Sequence, residues 1–138
     1  MPDRPSATDD RSARPARAIA GPSLVLIGAA HTALGAVAHR DALAALVRGG
    51  VGSAGEGPRP PAETAARQRA FWFEVSGVAL VLLGDAIGAQ ERRGQRPPRR
   101  LGWAVGTLAV LGGAAMPVSG FWALLVPAAA LLRRGRRP

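Results

Sequence analysis

Three long apolar runs constrain the fold of this chain more than any other feature of its sequence. Residues 18–38 contain no Asp, Glu, Lys or Arg over 21 positions, and residues 101–132 contain none over 32 positions. The run at 70–90 is interrupted only by Glu74 and Asp85. Because a helix rises about 1.5 Å per residue, about 20 apolar residues cross a bilayer core that is about 30 Å thick. These runs therefore predict an all-α membrane protein.

The last run is too long for one crossing and short for two, and its segment "MPVSG" at 116–120 contains Pro and Gly, the usual turn residues. We therefore predict a single membrane domain at 18–134, built as a bundle of four transmembrane helices. The predicted spans are about 18–38, 70–90, 101–116 and 117–133. Pro127 is expected to kink the last helix. A re-entrant hairpin formed by the last two segments is the alternative, because each is near the lower length limit for a crossing.

Polar segments flank and connect these spans. Residues 1–17 lack apolar periodicity and are rich in Pro and charge, so they are expected to form a disordered tail, and residues 135–138 form a basic tail. Within the first loop, "HRDALAALVR" predicts a short amphipathic helix at the membrane surface, with Asp41 as its cap. Its apolar face is expected to combine Leu43, Leu46 and Val47.

Glycines recur at a regular spacing in the first two spans. The predicted helix-packing glycines are Gly21, Gly28 and Gly35 in the first span and Gly77, Gly84 and Gly88 in the second. A spacing of seven residues returns to nearly the same helix face, and Gly84 and Gly88 also form a GxxxG pair. We expect the two glycine seams to face each other, because small residues let membrane helices approach closely.

The arginines predict the orientation. All 18 basic residues are Arg, and with four spans and the N-terminus inside, 13 of them face the cytoplasm and five face outward. The positive-inside rule therefore predicts that both termini are cytoplasmic. The heavy use of Arg, Ala, Gly and Pro is typical of a G+C-rich bacterial genome, so we expect a bacterial inner membrane. A signal-peptidase site at 36–38 ("AVA") is the alternative, but the long, partly acidic leader disfavours it.

Three ionisable residues lie within the predicted spans, namely His31, Glu74 and Asp85. Glu74 and Asp85 are 11 residues apart and therefore project from nearly the same helix face. One interpretation is a polar crevice in which both carboxylates, with His31, form a proton or cation site. The simpler interpretation is that Glu74 reaches the outer interface and that Asp85 pairs with Arg92 or Arg93.

His31 has two further interpretations of its own. It can form a buried hydrogen bond with Glu74, or it can bond a backbone carbonyl across the helix interface as a neutral ring. Its spacing of eight residues from His39 is too weak a pattern to predict haem or metal binding. The chain contains no Cys and no catalytic or phosphate-binding signature, so we predict no catalytic, cofactor-binding or metal-binding residues and no enzyme activity.

Four sequence blocks occur in order along the chain: "HTALG", "AFWFEVSG", "LGWAVG" and "MPVSGFW". In these blocks the chain resembles a family of small, four-helix bacterial integral membrane proteins of uncharacterised function. The resemblance implies four spans and offers no known substrate or active site.

The net charge of +9 does not alter this interpretation, because the arginines flank apolar runs, where lipid headgroups are the expected anionic partner rather than nucleic acid. The predicted function is that of a multi-pass inner-membrane protein with a structural or partner-binding role. Its expected partners are the lipid bilayer and a second copy or another membrane protein. A small transporter or proton-coupled component that uses Glu74, Asp85 and His31 is the alternative.

Overall fold

The structure is a computed structural model that describes residues 18–55 and 57–133. Within these residues the chain is all-helical, with five α-helices and no strand, which confirms the all-α part of the predicted fold class. The bundle of four membrane spans stays a prediction. The α-helices are α1 (Ala20–Ala38), α2 (Arg40–Gly49), α3 (Pro61–Arg92), α4 (Arg99–Ala115) and α5 (Leu125–Arg133). Two short 3₁₀ helices, Val51–Ala54 and Gly120–Leu124, precede α3 and α5. The predicted tails at 1–17 and 135–138 lie outside the described residues.

Helices α1 and α3 form an antiparallel hairpin. Gly21 near the start of α1 lies against Gly88 near the end of α3, whereas Gly35 near the end of α1 lies against Glu74. With 32 residues, α3 is much longer than α1. Its first turns, at 61–69, extend beyond the end of α1 and carry the contact with α2.

Helices α4 and α5 form a second antiparallel pair, which shares one core with the first. Gly102 in α4 lies against Leu131 and Leu132, and Gly106 lies against Ala128. The core side chains are Ala20, Leu24, Ile87, Val105, Ala109, Leu124, Ala128 and Leu131. Burial of these apolar groups against one another joins the two hairpins.

The segment predicted to form an amphipathic helix folds as α2, but two details of that prediction are wrong. Asp41 lies in the first turn and does not cap the helix, because α2 begins at Arg40 and is preceded by His39. Leu46 is only 8% exposed, whereas Val47 is 83% exposed. Adjacent helical residues point about 100° apart, so the contact with α3 buries Leu46 and leaves Val47 uncovered.

In the C-terminal third, the predicted spans correspond to α4 and to the 3₁₀ helix that continues into α5. That they cross a membrane stays a prediction. Among the described residues, only α1 and α3 are long and apolar enough to cross a bilayer. Helix α4 has 17 residues and therefore spans about 25 Å. The segment after the turn is divided into a five-residue 3₁₀ helix and the nine-residue α5.

The predicted kink at Pro127 is wrong, because this proline lies in the first turn of α5 and not inside a longer helix. A proline has no N–H to donate, and its ring collides with the carbonyl of the residue four positions earlier in an α-helix. The backbone before Leu125 is accordingly 3₁₀, and the α-helical pattern begins only two residues before the proline.

Candidate polar site between α1 and α3

Glycines allow the backbones of α1 and α3 to touch. A Cβ atom added at Gly28 would lie 2.7 Å from the carbonyl oxygen of Gly77, and one at Gly84 would lie 2.6 Å from the amide nitrogen of Val25. One added at Gly21 would overlap the backbone of Gly88. No side chain fits at these three positions unless the helices move apart.

Towards the other end of this interface, polar side chains fill the space opposite glycine. Glu74 lies over Gly35, and Thr32 lies over Gly77. Glu74 Oε1 and Thr32 Oγ1 are both buried and have no hydrogen-bond partner among the described residues. Buried polar atoms are nearly always hydrogen-bonded, so two such oxygens in one interface are the most unusual feature of the hairpin.

His31 contacts Phe73 and Ser76 on α3. Its ring stacks on that of Phe73, with 3.8 Å between centroids and 11° between planes, and its Nε2 lies 3.1 Å from Ser76 Oγ. The Ser76 hydroxyl donates its proton to the Phe73 carbonyl at 2.8 Å, so His31 Nε2 is the donor in the bond to Ser76. Neither predicted partner of His31, a backbone carbonyl or the Glu74 carboxylate, is the observed one.

His39 is separated from His31 by the same phenylalanine. The His39 ring meets Phe73 edge-on, with 5.2 Å between centroids. The described residues contain no group of three or more His, Cys, Asp or Glu side chains that could hold a metal ion. His31 and His39 therefore both contact the ring of Phe73, one stacked on it and the other edge-on.

Asp85 is not part of this site. Its Oδ1 lies 3.5 Å from Arg92 Nη2, and the two side chains are 71% and 64% exposed. This is the ion pair that the simpler interpretation of the sequence expected. The 11 residues between Glu74 and Asp85 correspond to about 16 Å along α3, so the structure does not bring the two carboxylates together.

Sequence reasoning missed Glu91, which caps α1. Glu91 is only 9% exposed. Its carboxylate accepts hydrogen bonds from the backbone amides of Ala20 at 3.3 Å and Gly21 at 3.1 Å. Pro22 has no N–H, and the amide of Ser23 donates to the carbonyl of Ile19. Every backbone N–H group in the first turn of α1 therefore has a hydrogen-bond acceptor. The Glu91 carboxylate also places a negative charge at the positive end of the helix dipole.

The turn between α4 and α5 is held by two aromatic rings. Phe121 lies over Gly112 and Trp122 lies over Gly113, where no Cβ atom is in the way. Trp122 Nε1 donates a hydrogen bond to the carbonyl of Pro117 at 3.1 Å. The "MPVSGFW" block thus folds back onto the paired glycines at the end of α4.

A protein-family profile described as "Family of unknown function (DUF6463)" matches residues 15–138. The chain belongs to this family. No curated protein and no solved structure shows significant similarity to the chain. Membership of DUF6463 thus covers both hairpins, and any chemical role in this chain must be argued from its own residues.

The DUF6463 chain combines a tight glycine interface with a short polar stretch at one end of it. His31, Thr32 and Glu74 offer a ring nitrogen and two buried oxygens, which are groups that can hold a proton, a water molecule or a small cation. Beside them, the hydroxyl of Ser76 lies 3.1 Å from His31 Nε2.

Proposed function

We propose that this protein is a small multi-pass membrane protein of a bacterial inner membrane. The observation that carries the proposal is the exposure of the two span-length helices. Only 28% of the apolar window of α1 and 22% of that of α3 are buried inside the protein. A core helix of a water-soluble protein would be covered on most sides, so lipid is the solvent that suits these surfaces.

Exposed apolar side chains on the other helices support the same proposal. Each of Leu26, Val37, Leu82, Leu111 and Val126 is more than half exposed, and together they represent α1, α3, α4 and α5. Water-soluble monomers rarely leave so many large apolar side chains uncovered. A cleaved signal peptide is a poor description of α1, since its removal would strip α3 of its packing partner and leave Glu91 without the amides that it caps.

The chain is proposed to cross the membrane four times with both termini in the cytoplasm. The distribution of arginines supports this orientation. Helices α4 and α5 are short for a crossing, but a bilayer can thin locally around short helices and flanking arginines can extend to the headgroups. The re-entrant alternative keeps both termini on the same side and differs in the position of the turn at 116–120.

Single cysteines test the topology, because the native chain contains none. Gly52→Cys, Gln95→Cys and Val118→Cys change exposed positions, and a Cβ at Gly52 meets no atom within 4 Å. In intact cells we expect a membrane-impermeant thiol reagent to label positions 52 and 118 but not 95. Labelling of 52 without 118 supports the re-entrant hairpin, and labelling of 95 in intact cells contradicts the orientation.

Membrane integration itself has a direct test. We expect the full chain to remain in the membrane fraction after alkaline carbonate washing and to be released only by detergent. Recovery of a monodisperse monomer from buffer without detergent would contradict the proposed function as a whole.

Within the membrane we propose a structural or partner-binding role rather than catalysis, with a second copy or another membrane protein as the partner. Support comes from the uncovered face of α4, where Trp103 and Leu111 are 61% and 65% exposed. Cross-linking through Trp103→Cys in native membranes should give a discrete product. If neither Trp103→Cys nor Leu111→Cys gives a cross-linked product, this role is contradicted.

A second candidate function, a proton or small-cation site, is favoured by the two buried oxygens without partners. Glu74→Gln and Thr32→Val each remove one chemical group at nearly constant shape, and Asp85→Asn is the matched control on the same helix. If the site is functional, the first two changes abolish a proton- or cation-dependent phenotype at normal protein abundance and the third does not. Normal behaviour of all three variants would leave the polar stretch with a structural role only.

A further inference from the structure

A crevice of about 570 Å³ lies where α1 ends and α2 begins, against the first turns of α3. It is lined by His39, Ala65, Gln68, Arg69, Trp72 and Phe73. His39 directly follows the last residue of α1, and Trp72 is 65% exposed. If α1 spans the bilayer as proposed above, this crevice lies at the level where the chain leaves the hydrocarbon, which is where Trp is enriched in membrane proteins.

The charges of this region are unevenly matched. Arg67 pairs with Glu63 at 2.6 Å, which neutralises that arginine. Arg69, two residues further on, is exposed and forms no ion pair with any described residue. The crevice therefore presents one uncompensated guanidinium, with the Gln68 amide and the His39 ring beside it as further hydrogen-bonding groups.

The remaining wall is aromatic and apolar. Phe73 contacts the rings of His31 and His39, and Trp72, which meets Phe71 edge-on at 5.3 Å, keeps 65% of its surface exposed to a ligand or lipid. A cationic, hydrogen-bonding side next to an aromatic side at interfacial depth matches a molecule that has an anionic head and an apolar tail.

We propose that this crevice binds an anionic phospholipid, with its phosphate on Arg69 and its first acyl methylenes on Trp72. Arg69 supplies a fork of N–H donors that suits a phosphodiester. The aromatic wall gives a lipid more contact than a free phosphate ion could use. The inference rests on the proposed membrane function, since it needs the crevice to face the interface.

The test uses the full-length protein in nanodiscs of phosphatidylcholine that contain a small fraction of phosphatidylglycerol. Native mass spectrometry of the released protein counts the retained lipids of each kind. We expect phosphatidylglycerol to be retained in preference to phosphatidylcholine, and Arg69→Gln to reduce that preference about fivefold, which is the effect of one basic residue near an anionic surface. The matched control is Arg48→Gln, which removes an exposed arginine of α2 that does not line the crevice.

Several outcomes would overturn the inference. Equal retention of the two lipids by the unmodified protein excludes a preference, and equal losses in Arg69→Gln and Arg48→Gln assign the preference to overall charge. Displacement of the retained lipid by millimolar inorganic phosphate would identify a site for the free ion instead. Failure of the chain to enter nanodiscs at all would contradict the proposed function, so the two failures are distinguishable.

Quenching of Trp72 fluorescence provides a second measurement. In the Trp103→Phe, Trp122→Phe background Trp72 is the only tryptophan. Phosphatidylglycerol with a spin label near the start of its chain should quench this emission at a lower mole fraction than the matching phosphatidylcholine. Equal quenching by the two lipids in a correctly inserted protein would contradict the proposed site.

Discussion

At the level of single residues, the α1–α3 hairpin uses two carboxylates in opposite ways. Glu91 is buried and accepts the amides that open α1, whereas Glu74 is partly buried and leaves Oε1 without a hydrogen-bond partner among the described residues. No side chain next to α1 caps it, and a carboxylate from elsewhere in the chain accepts its first amides instead of water. A satisfied carboxylate of this kind stabilises the structure, while an unsatisfied one is retained at a cost.

Replacement of Glu91 should destabilise the protein. Glu91→Ala leaves the amides of Ala20 and Gly21 without their acceptor, at an expected cost of about 1–3 kcal/mol. Glu91→Gln keeps an acceptor but removes the charge, so its effect should be smaller. Unfolding by a denaturing detergent in mixed micelles measures both variants.

The control for this prediction is Asp85→Asn, which removes an exposed ion pair from the same helix. We expect its effect to stay below about 1 kcal/mol, because solvent-exposed pairs contribute little. An effect of Glu91→Ala no larger than that of Asp85→Asn would show that the cap does not stabilise α1.

At the level of elements, the two hairpins use glycine differently. In α1 and α3 the glycines bring backbone against backbone, as the distances at Gly28 and Gly84 show. In α4, Gly112 and Gly113 accept aromatic rings, and Gly106 has only Ala128 nearby, at 3.7 Å from an added Cβ. Glycine is therefore required in the first hairpin and at the turn of the second, but not at Gly106.

The glycine seam gives a matched pair of substitutions. Gly28→Ala would put a methyl group 2.7 Å from a backbone oxygen and force α1 and α3 apart, at an expected cost of about 1–3 kcal/mol. Gly106→Ala makes only an ordinary contact and improves helix propensity, so it should be neutral or stabilise by up to about 1 kcal/mol. Thermal unfolding in detergent compares the two, and equal effects would refute close packing at the seam.

The turn at the end of α4 depends on Trp122 for a hydrogen bond as well as for packing. Trp122→Phe retains an aromatic ring over Gly113 but loses the bond to the Pro117 carbonyl. We expect a loss of about 0.5–1.5 kcal/mol, measured by the same unfolding assay. A variant as stable as the unmodified protein would mean that water or lipid headgroups satisfy this carbonyl equally well.

Much of the element pattern follows from local sequence, and the exceptions have physical causes. The apolar run at 18–38 is close to α1 because charge marks its boundaries, whereas α3 begins at Pro61 because the residues after this proline are good helix formers. Pro127 has a different effect, because the α-helical pattern of α5 begins only at Leu125, two residues before this proline.

Tertiary contacts were the part that sequence could not supply. The role of Glu91 depends on a residue 71 positions earlier, and no local pattern distinguishes it from the charged residues that follow. Likewise, the seven-residue spacing of glycines in each helix, which includes Gly35 in α1 and Gly77 in α3, indicates a helix interface. It does not indicate that polar side chains fill the space opposite these two glycines. His31 was recognised from its position, while its partner Ser76 was not.

At the level of the whole molecule, the helices of the two hairpins differ in length. Helix α1 spans about 28 Å and α4 about 25 Å. If both hairpins cross a membrane as proposed, a bilayer that suits the first hairpin is slightly too thick for the second. Mismatch of this kind has a modest cost per ångström, which is borne by bilayer deformation or helix tilt.

Bilayer thickness should therefore affect stability. We expect the protein to be more stable in dimyristoyl than in dieicosenoyl phosphatidylcholine, by an amount on the order of 1 kcal/mol. Unfolding of the protein in vesicles of each lipid measures the difference. Equal or greater stability in the thicker bilayer would contradict the short-helix geometry.

The cap on α1 also determines the order in which this protein can mature. Glu91 leaves the ribosome long after Ala20, because 71 residues separate them. Until Glu91 is made, the amides of Ala20 and Gly21 lack the carboxylate that accepts their hydrogen bonds. The α1–α3 hairpin can be completed only after the end of α3 has been synthesised. A nascent chain arrested before that point therefore has a first helix without its N-terminal cap.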